Sequence, residues 1–318
     1  MTNLIENISI DNFKSIRHCK ITGCKRINLF IGGPGSGKSN VLEALSIFSL
    51  PFLRENPSKR ISHFIRVEHG AELFYHGNYE QPVKIETNKG TGKITYDQNK
   101  GLEIILETPA GGGRYRVDDK LNFRFARNKE YLPFIRKYTF ASKTHFKKAH
   151  SRYLIPPYGF NLPGTIERYP ALKDEISNLF SEYELSLVID KSGPSLKLMR
   201  PYKNTGDIFL LPYQSIGDAL QRIIFFKAAM ASNEDKVLLF EDPEVHSGLS
   251  SIAQITLEMI HKQDNQYFVS THSPLMLNEL LKSSREELSV FMFNYDRHQT
   301  RVRQLSDEEL CGIDQKGI

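Results

Sequence analysis

Tryptophan is absent from the 318 residues, and only three cysteines occur, Cys19, Cys24 and Cys311. They form no Cys-x-x-Cys pair, and two thiols five positions apart cannot fill a four-ligand zinc site. Free thiols in a reducing compartment are the expectation. No apolar run reaches the ~20 residues that a membrane helix needs. Residues 1–12 mix polar and apolar side chains and lack the apolar stretch of a secretion signal. A cytoplasmic protein without membrane contact is expected. Low-complexity tracts and internal repeats are missing too, which excludes a wholly disordered chain. The excess of positive charge is small, 42 Lys and Arg against 37 Asp and Glu. A nucleic-acid partner is compatible with that balance and is not established by it.

What is present reads as a folded chain: 40% of residues are hydrophobic, enough for one large domain or two lobes. Residues 4–10 alternate as a strand does, and 16–21 would return beside them. Residues 26–31 end in an apolar run followed at once by glycines, which suits a buried parallel strand. A helix follows at 40–48, where Val41, Leu42, Leu45 and Phe48 recur at helical steps. From 71 to 125, short β-rich pieces at 83–86, 93–96, 102–107 and 113–117 alternate with Gly, Asn and Asp turns. That pattern predicts antiparallel sheet. Residues 122–153 are basic, aromatic and expected to be helical. Prolines at 156, 157, 163 and 170 mark loops, with a helix at 171–185 and a hairpin through 187–190 and 196–200. The last third returns to mixed order, with helices at 216–231, 250–262 and 274–281. Strands are expected there at 237–240, 267–270, 290–295 and 301–304. The fold class is α/β: a central, mostly parallel sheet, an antiparallel flank and a helical second lobe.

Residues 32–39 read Gly32-Gly33-Pro34-Gly35-Ser36-Gly37-Lys38-Ser39, the pattern Gly-x4-Gly-Lys-Ser between an apolar strand and a helix. Such glycines let backbone N–H groups curl round a β-phosphate, aided by the helix dipole. Lys38 would reach the β- and γ-phosphates and the Ser39 hydroxyl would ligate Mg²⁺, with Asn40 next to them. A glycine-rich turn with a chance lysine is the plainer alternative, and both flanks argue against it. Val237-Leu238-Leu239-Phe240-Glu241-Asp242-Pro243 is an apolar strand ending in two carboxylates. Glu241 suits the Mg²⁺ shell and Asp242 the polarising of an attacking water. Ser270-Thr271-His272-Ser273-Pro274 follows the next apolar strand. His272 there could hydrogen-bond a γ-phosphate; a structural histidine is the alternative.

Asn12-Phe13-Lys14-Ser15, the phosphate loop, Glu241-Asp242-Pro243-Glu244 and the Ser-Thr-His-Ser-Pro run occur in this order. Together they resemble the ABC-type P-loop ATPases of the RecF, SMC and OLD group, most of all the compact AAA family ATPases of bacterial defence loci. The resemblance covers residues 1–48 and 205–282, and implies ATP and Mg²⁺ as cofactors with hydrolysis as the reaction. It also implies that Lys14 and Ser15 approach the nucleotide, the alternative being a surface lysine beside a buried Phe13. Gln214-Ser215-Ile216-Gly217-Asp218 occupies the signature position. Ser215 and Gly217 would then bind the γ-phosphate held by a second copy; a plain helix N-cap at Ser215 is the alternative. Each site would need two chains, a homodimer closed around two ATP. The implied parts are an N-terminal ATPase lobe at 1–120, a helical and basic insertion at 121–205, and a C-terminal ATPase part at 206–318. Three features depart from the family. Glu241-Asp242 stands where it has Asp-Glu, which implies slow water activation, and the signature lacks its second glycine. No Q-loop glutamine is evident, although 64–74 is about where one should be.

No heptad pattern is sustained between residues 39 and 215, which excludes a long coiled-coil arm. After His272 about 46 residues remain, too few for the TOPRIM nuclease domain of OLD-type proteins. A separate effector subunit, a nuclease or toxin, is therefore expected. In 122–153, Arg124, Arg127, Lys129, Arg136, Lys137, Lys143, Lys147, Lys148 and Arg152 interleave with eight aromatics: Phe123, Phe125, Tyr131, Phe134, Tyr138, Phe140, Phe146 and Tyr153. The pattern suits DNA or RNA, with aromatics stacked on bases. The plainer alternative is a solvated helix with its aromatics in the core, and a partner-protein surface is a third reading. Two functions stay open. One is an ATP-hydrolysing dimeric switch acting on nucleic acid or an effector, in antiviral defence or DNA repair. The other is an ATP-binding scaffold with little turnover. A transporter motor fits the lead-in and signature poorly, and a GTPase lacks its Asn-Lys-x-Asp motif.

Overall fold

Strands that are apolar at nearly every position fold here into a sheet covered on both faces, and strands that alternate fold into a flank. The computed structural model describes residues 2–125, 132–190, 193–202, 207–245 and 248–316, the side chains of 313–316 excepted. The chain starts with β1 (Asn7–Phe13), β2 (Ile16–Thr22), β3 (Ile27–Ile31) and α1 (Lys38–Ser46). The flank strands β4 (Val83–Thr87), β5 (Gly90–Asp97), β6 (Gly101–Thr108), β7 (Gly111–Val117) and β8 (Phe123–Arg124) follow. Next come β9 (Ile135–Tyr138), α2 (Leu162–Arg168), α3 (Pro170–Ser181), β10 (Ser186–Asp190), β11 (Ser195–Pro201) and β12 (Ile208–Pro212). The last third holds α4 (Asp218–Ala231), β13 (Val237–Glu241), α5 (Leu249–His261), β14 (Gln266–Ser270) and α6 (Pro274–Ser283). It ends with β15 (Leu288–Asp296), β16 (Gln299–Gln304) and α7 (Asp307–Lys316).

The central sheet has the order β16-β15-β3-β14-β13-β9. Its four pairings from β15 to β9 are parallel, and β16 closes one edge antiparallel. Alternate residues serve opposite faces. Val237, Leu239 and Phe268 enter the core shared with α1 and the antiparallel flank. Leu238, Phe240, Tyr267 and Val269 enter the core shared with α4, α5 and α6. The flank is a seven-stranded sheet, β2-β1-β4-β5-β6-β7-β8, and β10-β11-β12 form a third, smaller one. The α/β class, the parallel centre and the antiparallel flank agree with the sequence reading.

Residues 122–153 do not. Among the described residues this segment holds no helix; it supplies β8 and β9. Pro133 is a poor helix interior residue, and 135–138 gain an extended partner because β9 pairs with β13 from Val237 to Phe240. The aromatics are core: Phe123, Phe134 and Tyr138 are buried, and Phe125, Phe140, Phe146 and Tyr153 pack against the cores. Arg136 is buried too, with Tyr153 and Phe52 rings 4.0 and 5.2 Å from its guanidinium. Lys137 is buried as well, and the exposed cations among the described residues are Arg124, Lys143, Lys147, Lys148 and Arg152. Arg127, Lys129 and Tyr131 lie outside the described residues. Helix α2 begins with a proline near its N-terminus, where the missing N–H costs nothing; the sequence reading had placed a loop there.

Phe240 is fully buried against the rings of Phe226, Tyr138 and Tyr267. Phe240→Ala should cost about 3–5 kcal/mol of stability. A urea midpoint followed by circular dichroism checks this, and a midpoint equal to wild type would contradict the packing described.

Candidate nucleotide-binding site

The loop after β3 is shaped by three glycines with positive φ: Gly32 at 143°, Gly35 at 73° and Gly37 at 98°. Two of them also lack room for a side chain. A Cβ on Gly32 would stand 2.3 Å from the Phe293 carbonyl oxygen, and one on Gly37 would stand 2.0 Å from Thr300 Oγ1. Gly33 and Gly35 face open space, and Pro34 is exposed between them. The Lys38 ammonium folds back over the loop and donates to the carbonyls of Gly32 and Gly33 at 2.7 and 3.1 Å. Burial lowers its pKa, against the opposing fields of Asp242 and Glu244. Ser36 Oγ is buried with no hydrogen-bond partner. An unmade hydroxyl bond in a glycine cradle at the start of α1 fits a phosphate.

The carboxylates arrive from β13. Glu241 Oε1 accepts from Arg66 at 2.8 Å, and Oε2 lies 3.3 Å from the Lys137 ammonium at the end of β9. Burial alone would raise the Glu241 carboxyl; Lys137, the Ser39 hydroxyl and Arg66 outweigh burial, and its pKa lies below the usual value. Ser39 and Glu241 thus stand together, as a shared Mg²⁺ would require. Among the described residues no cluster of three His, Cys, Asp or Glu could hold a metal by itself. A magnesium ion completing its shell with phosphate oxygens and water fits that donor set. Asp242 takes a left-handed φ of 42°, which turns the chain sharply after the strand. Its N–H donates to the Ser270 carbonyl at 3.1 Å, and Ser270 Oγ donates to its Oδ1 at 3.0 Å.

His272 is exposed at the end of β14, its backbone N–H bound to Glu244 at 2.8 Å. In the N-terminal hairpin Asn12 and Lys14 both have positive φ, 58° and 48°, which makes Asn-Phe-Lys-Ser a tight turn around buried Phe13. Lys14 is paired with Glu43, a fully buried carboxylate of α1 that also accepts from Arg66 Nε at 2.6 Å. Ser15 Oγ meets Thr300 Oγ1 at 2.7 Å and accepts from Asn40 at 2.6 Å. The hairpin therefore braces the phosphate loop through Asn40 and Thr300.

Ser215 and Gly217 stand apart from this cluster. They precede α4 and line an apolar groove of about 350 Å³ with Phe180, Leu198, Leu211 and Leu220, a groove that no phosphate-loop residue lines. Gly217 is the N-cap of α4, and a Cβ there would meet nothing within 4 Å. Sequence reasoning missed Arg66, Lys137, Glu43, Thr300 and Arg222. Arg66, Lys137 and Arg222 line an open cavity of about 340 Å³ beside Glu241 and Asp242. Arg66 falls in 64–74, the stretch singled out without a residue; a lone basic residue between loops carries no local signal.

Residues 4–155 match the AAA ATPase domain family. Over 120 residues the chain is 30% identical to structural maintenance of chromosomes protein 1B of Homo sapiens, covering 37% of this chain and 9% of that protein. Over 136 residues it is 26% identical to DNA replication and repair protein RecF of Caldanaerobacter subterraneus subsp. tengcongensis, covering 35% of this chain and 37% of that protein. The matched region spans well under half the length of these relatives. The crystal structure of the SmcHead bound to the C-winged helix domain of ScpA shares the fold. Its TM-score is 0.54 at 14% identity, covering 97% of this chain and 99% of that one. The chain thus has the fold of an SMC head, and parts of its sequence are similar to an AAA ATPase domain, to RecF and to a structural maintenance of chromosomes protein.

Two outcomes follow from this geometry. Gly37→Ala meets both the positive φ and the Thr300 hydroxyl, so affinity for a fluorescent ATP analogue should fall by about tenfold or more. Unchanged affinity would show that the loop tolerates the clash. Glu241 titrates below its ordinary 4.5 in the fold. Its ion pairs therefore stabilise the protein above that value, and the stability is lost as pH falls through the lower folded value. The urea midpoint of wild type should exceed that of Glu241→Gln at about pH 7, and the gap should close on acidification below about 4.5. A gap that is constant with pH would contradict the pairing.

Proposed function

We propose that the chain binds ATP with Mg²⁺ and hydrolyses it slowly, as a switch that closes two copies around two nucleotides. The observation that carries this reading is the convergence of three parallel strand ends: the phosphate loop after β3, Glu241 and Asp242 at β13, and His272 after β14. In this reading the loop amides, Ser36 and Lys38 hold the phosphates, and Ser39 with Glu241 holds the metal. The metal would supply charge neutralisation at the phosphates. Asp242 orients the attacking water, and His272 contacts the γ-phosphate side. Ser215 and Gly217 are exposed and line a groove that no residue of their own phosphate loop lines, which supports a second copy as their phosphate donor. Lys14, held by Glu43, acts from behind the loop, with Ser15 bracing it.

The names of the relatives, a DNA replication and repair protein and a chromosome maintenance protein, support a role on nucleic acid in repair. The head bound to ScpA supports a protein partner, here a separate effector nuclease or toxin. Antiviral defence rests on the motif resemblance alone. DNA or RNA contact through 122–153 would use exposed Lys143, Lys147, Lys148 and Arg152, since the aromatics are in the core. A cytoplasmic location is supported by buried thiols at Cys19 and Cys24, each pushed up to about 12 by burial. Among the described residues no helix is long and apolar enough to cross a membrane.

A second reading, a scaffold with little turnover, is favoured by one arrangement. Glu241 already carries two cations, and the shorter Asp242 is held by Ser270. Oligomeric mass and ATP turnover, measured together with and without DNA, separate the two. The switch predicts ATP-dependent dimers for wild type and Asp242→Asn, monomers for Ser215→Arg, and turnover by wild type alone, lost by about 10²-fold or more in Asp242→Asn. ATP-dependent dimers with no turnover would select the scaffold. Binding with neither dimer nor turnover would overturn both forms of the dimer.

A further inference from the structure

Glu244 is the carboxylate that the reading above leaves without a task. It follows Pro243 in the turn after β13 and is only 8% exposed. Its Oε1 accepts twice, from the Thr271 hydroxyl at 2.5 Å and from the His272 backbone N–H at 2.8 Å. Its Oε2 is buried and has no hydrogen-bond partner. Burying a carboxylate with one oxygen unsatisfied is costly, and the two bonds that Oε1 makes offset part of that cost, adding to the bond from Thr271 N–H to the Phe30 carbonyl at 3.1 Å.

What they hold is the segment that leaves β14. The last rung between β13 and β14 pairs Glu241 with Ser270. Beyond it the chains diverge, and Glu244 is the side chain that reaches back across the gap. Thr271 Oγ1, while donating to Glu244, accepts from the Ser273 N–H at 2.9 Å, and Ser273 Oγ caps α6 at Met276 N. A chain of hydrogen bonds thus runs from the turn with the two carboxylates, through 271–273, into the first turn of α6. Glu244 also lies within electrostatic reach of Lys38 and Arg222.

We propose that Glu244 is a positioning residue that clamps the loop at 271–273 to the turn bearing Glu241 and Asp242 and so sets where His272 stands. The proposal rests on the nucleotide reading and goes beyond it by naming what couples the two strand ends. The clamp itself exists without nucleotide, so it can be tested without turnover. In the full chain, hydrogen exchange at the His272 amide should quicken by about tenfold in Glu244→Ala. Amides within β13 and β14 should be unchanged. Glu244→Gln, which keeps one acceptor oxygen, should restore most of the protection. Thr271→Val, which removes the hydroxyl of the relay, gives a second variant should Glu244→Ala fail to fold, and should loosen the Ser273 amide. In turnover, Glu244→Ala should lower kcat by about tenfold with KM for ATP within about threefold. Combined with His272→Ala it should cost little beyond His272→Ala alone. Unaltered His272 exchange in Glu244→Ala overturns the clamp. Fully additive losses in the double variant overturn its action through His272. If wild type hydrolyses no ATP, the catalytic reading falls and the exchange measurement still decides the clamp.

Discussion

Strand β14 pairs in parallel with β3 on one side and β13 on the other, and Ser270 is level with both Phe30 and Glu241. That shared register brings three loops to one height at the carboxyl end of the sheet, where α/β folds collect their ligands. A slip of one residue would send every side chain of β14 to the opposite face. Val269 would leave the helical core, Phe268 would leave the core shared with α1, and the Ser270 hydroxyl would lose Asp242. The register is held because both faces are buried: the flank and α1 cover one, and α4, α5 and α6 the other. Packing therefore comes first, and the constellation of polar groups follows from it.

The charges obey the same order. Glu43 is fully buried and Glu241 partly so, and each is paired with two cations, with Arg66 shared between them. Buried carboxylates need such partners. The arrangement joins the N-terminal hairpin, through Lys14 and Glu43, to the turn after β13. An incoming metal would compete with Arg66 and Lys137 for Glu241, which agrees with the slow turnover proposed. The carboxylates are placed by the strands, and their readiness is set by these side chains from elsewhere in the chain.

Legibility differed sharply between segments. The phosphate loop could be read because a steep turn with positive φ at Gly32, Gly35 and Gly37 needs glycine, and that need is local. Residues 237–241 and 266–270 could be read because a strand buried on both faces must be apolar throughout. Residues 122–153 were misread as helical. Their basic and aromatic composition has no period of its own, and pairing with β13 decided the conformation of 135–138. Arg66 and Lys137 could not be assigned to Glu241 from the sequence, since an ion pair 175 residues apart, as between Arg66 and Glu241, leaves no spacing to find.

The sequence by itself determined the α/β class, the phosphate loop, and the acidic and histidine-bearing turns that end two buried strands. Each of those depends on neighbours within a few residues: a turn's φ, a helix dipole, a strand's burial. Only the tertiary structure decided that Arg66 and Lys137 neutralise Glu241, that Glu244 reaches across to His272, and that the described aromatics of 122–153 belong to the core. Those are contacts between segments distant in the chain, selected by how two sheets and a helical layer pack, and no local pattern encodes them.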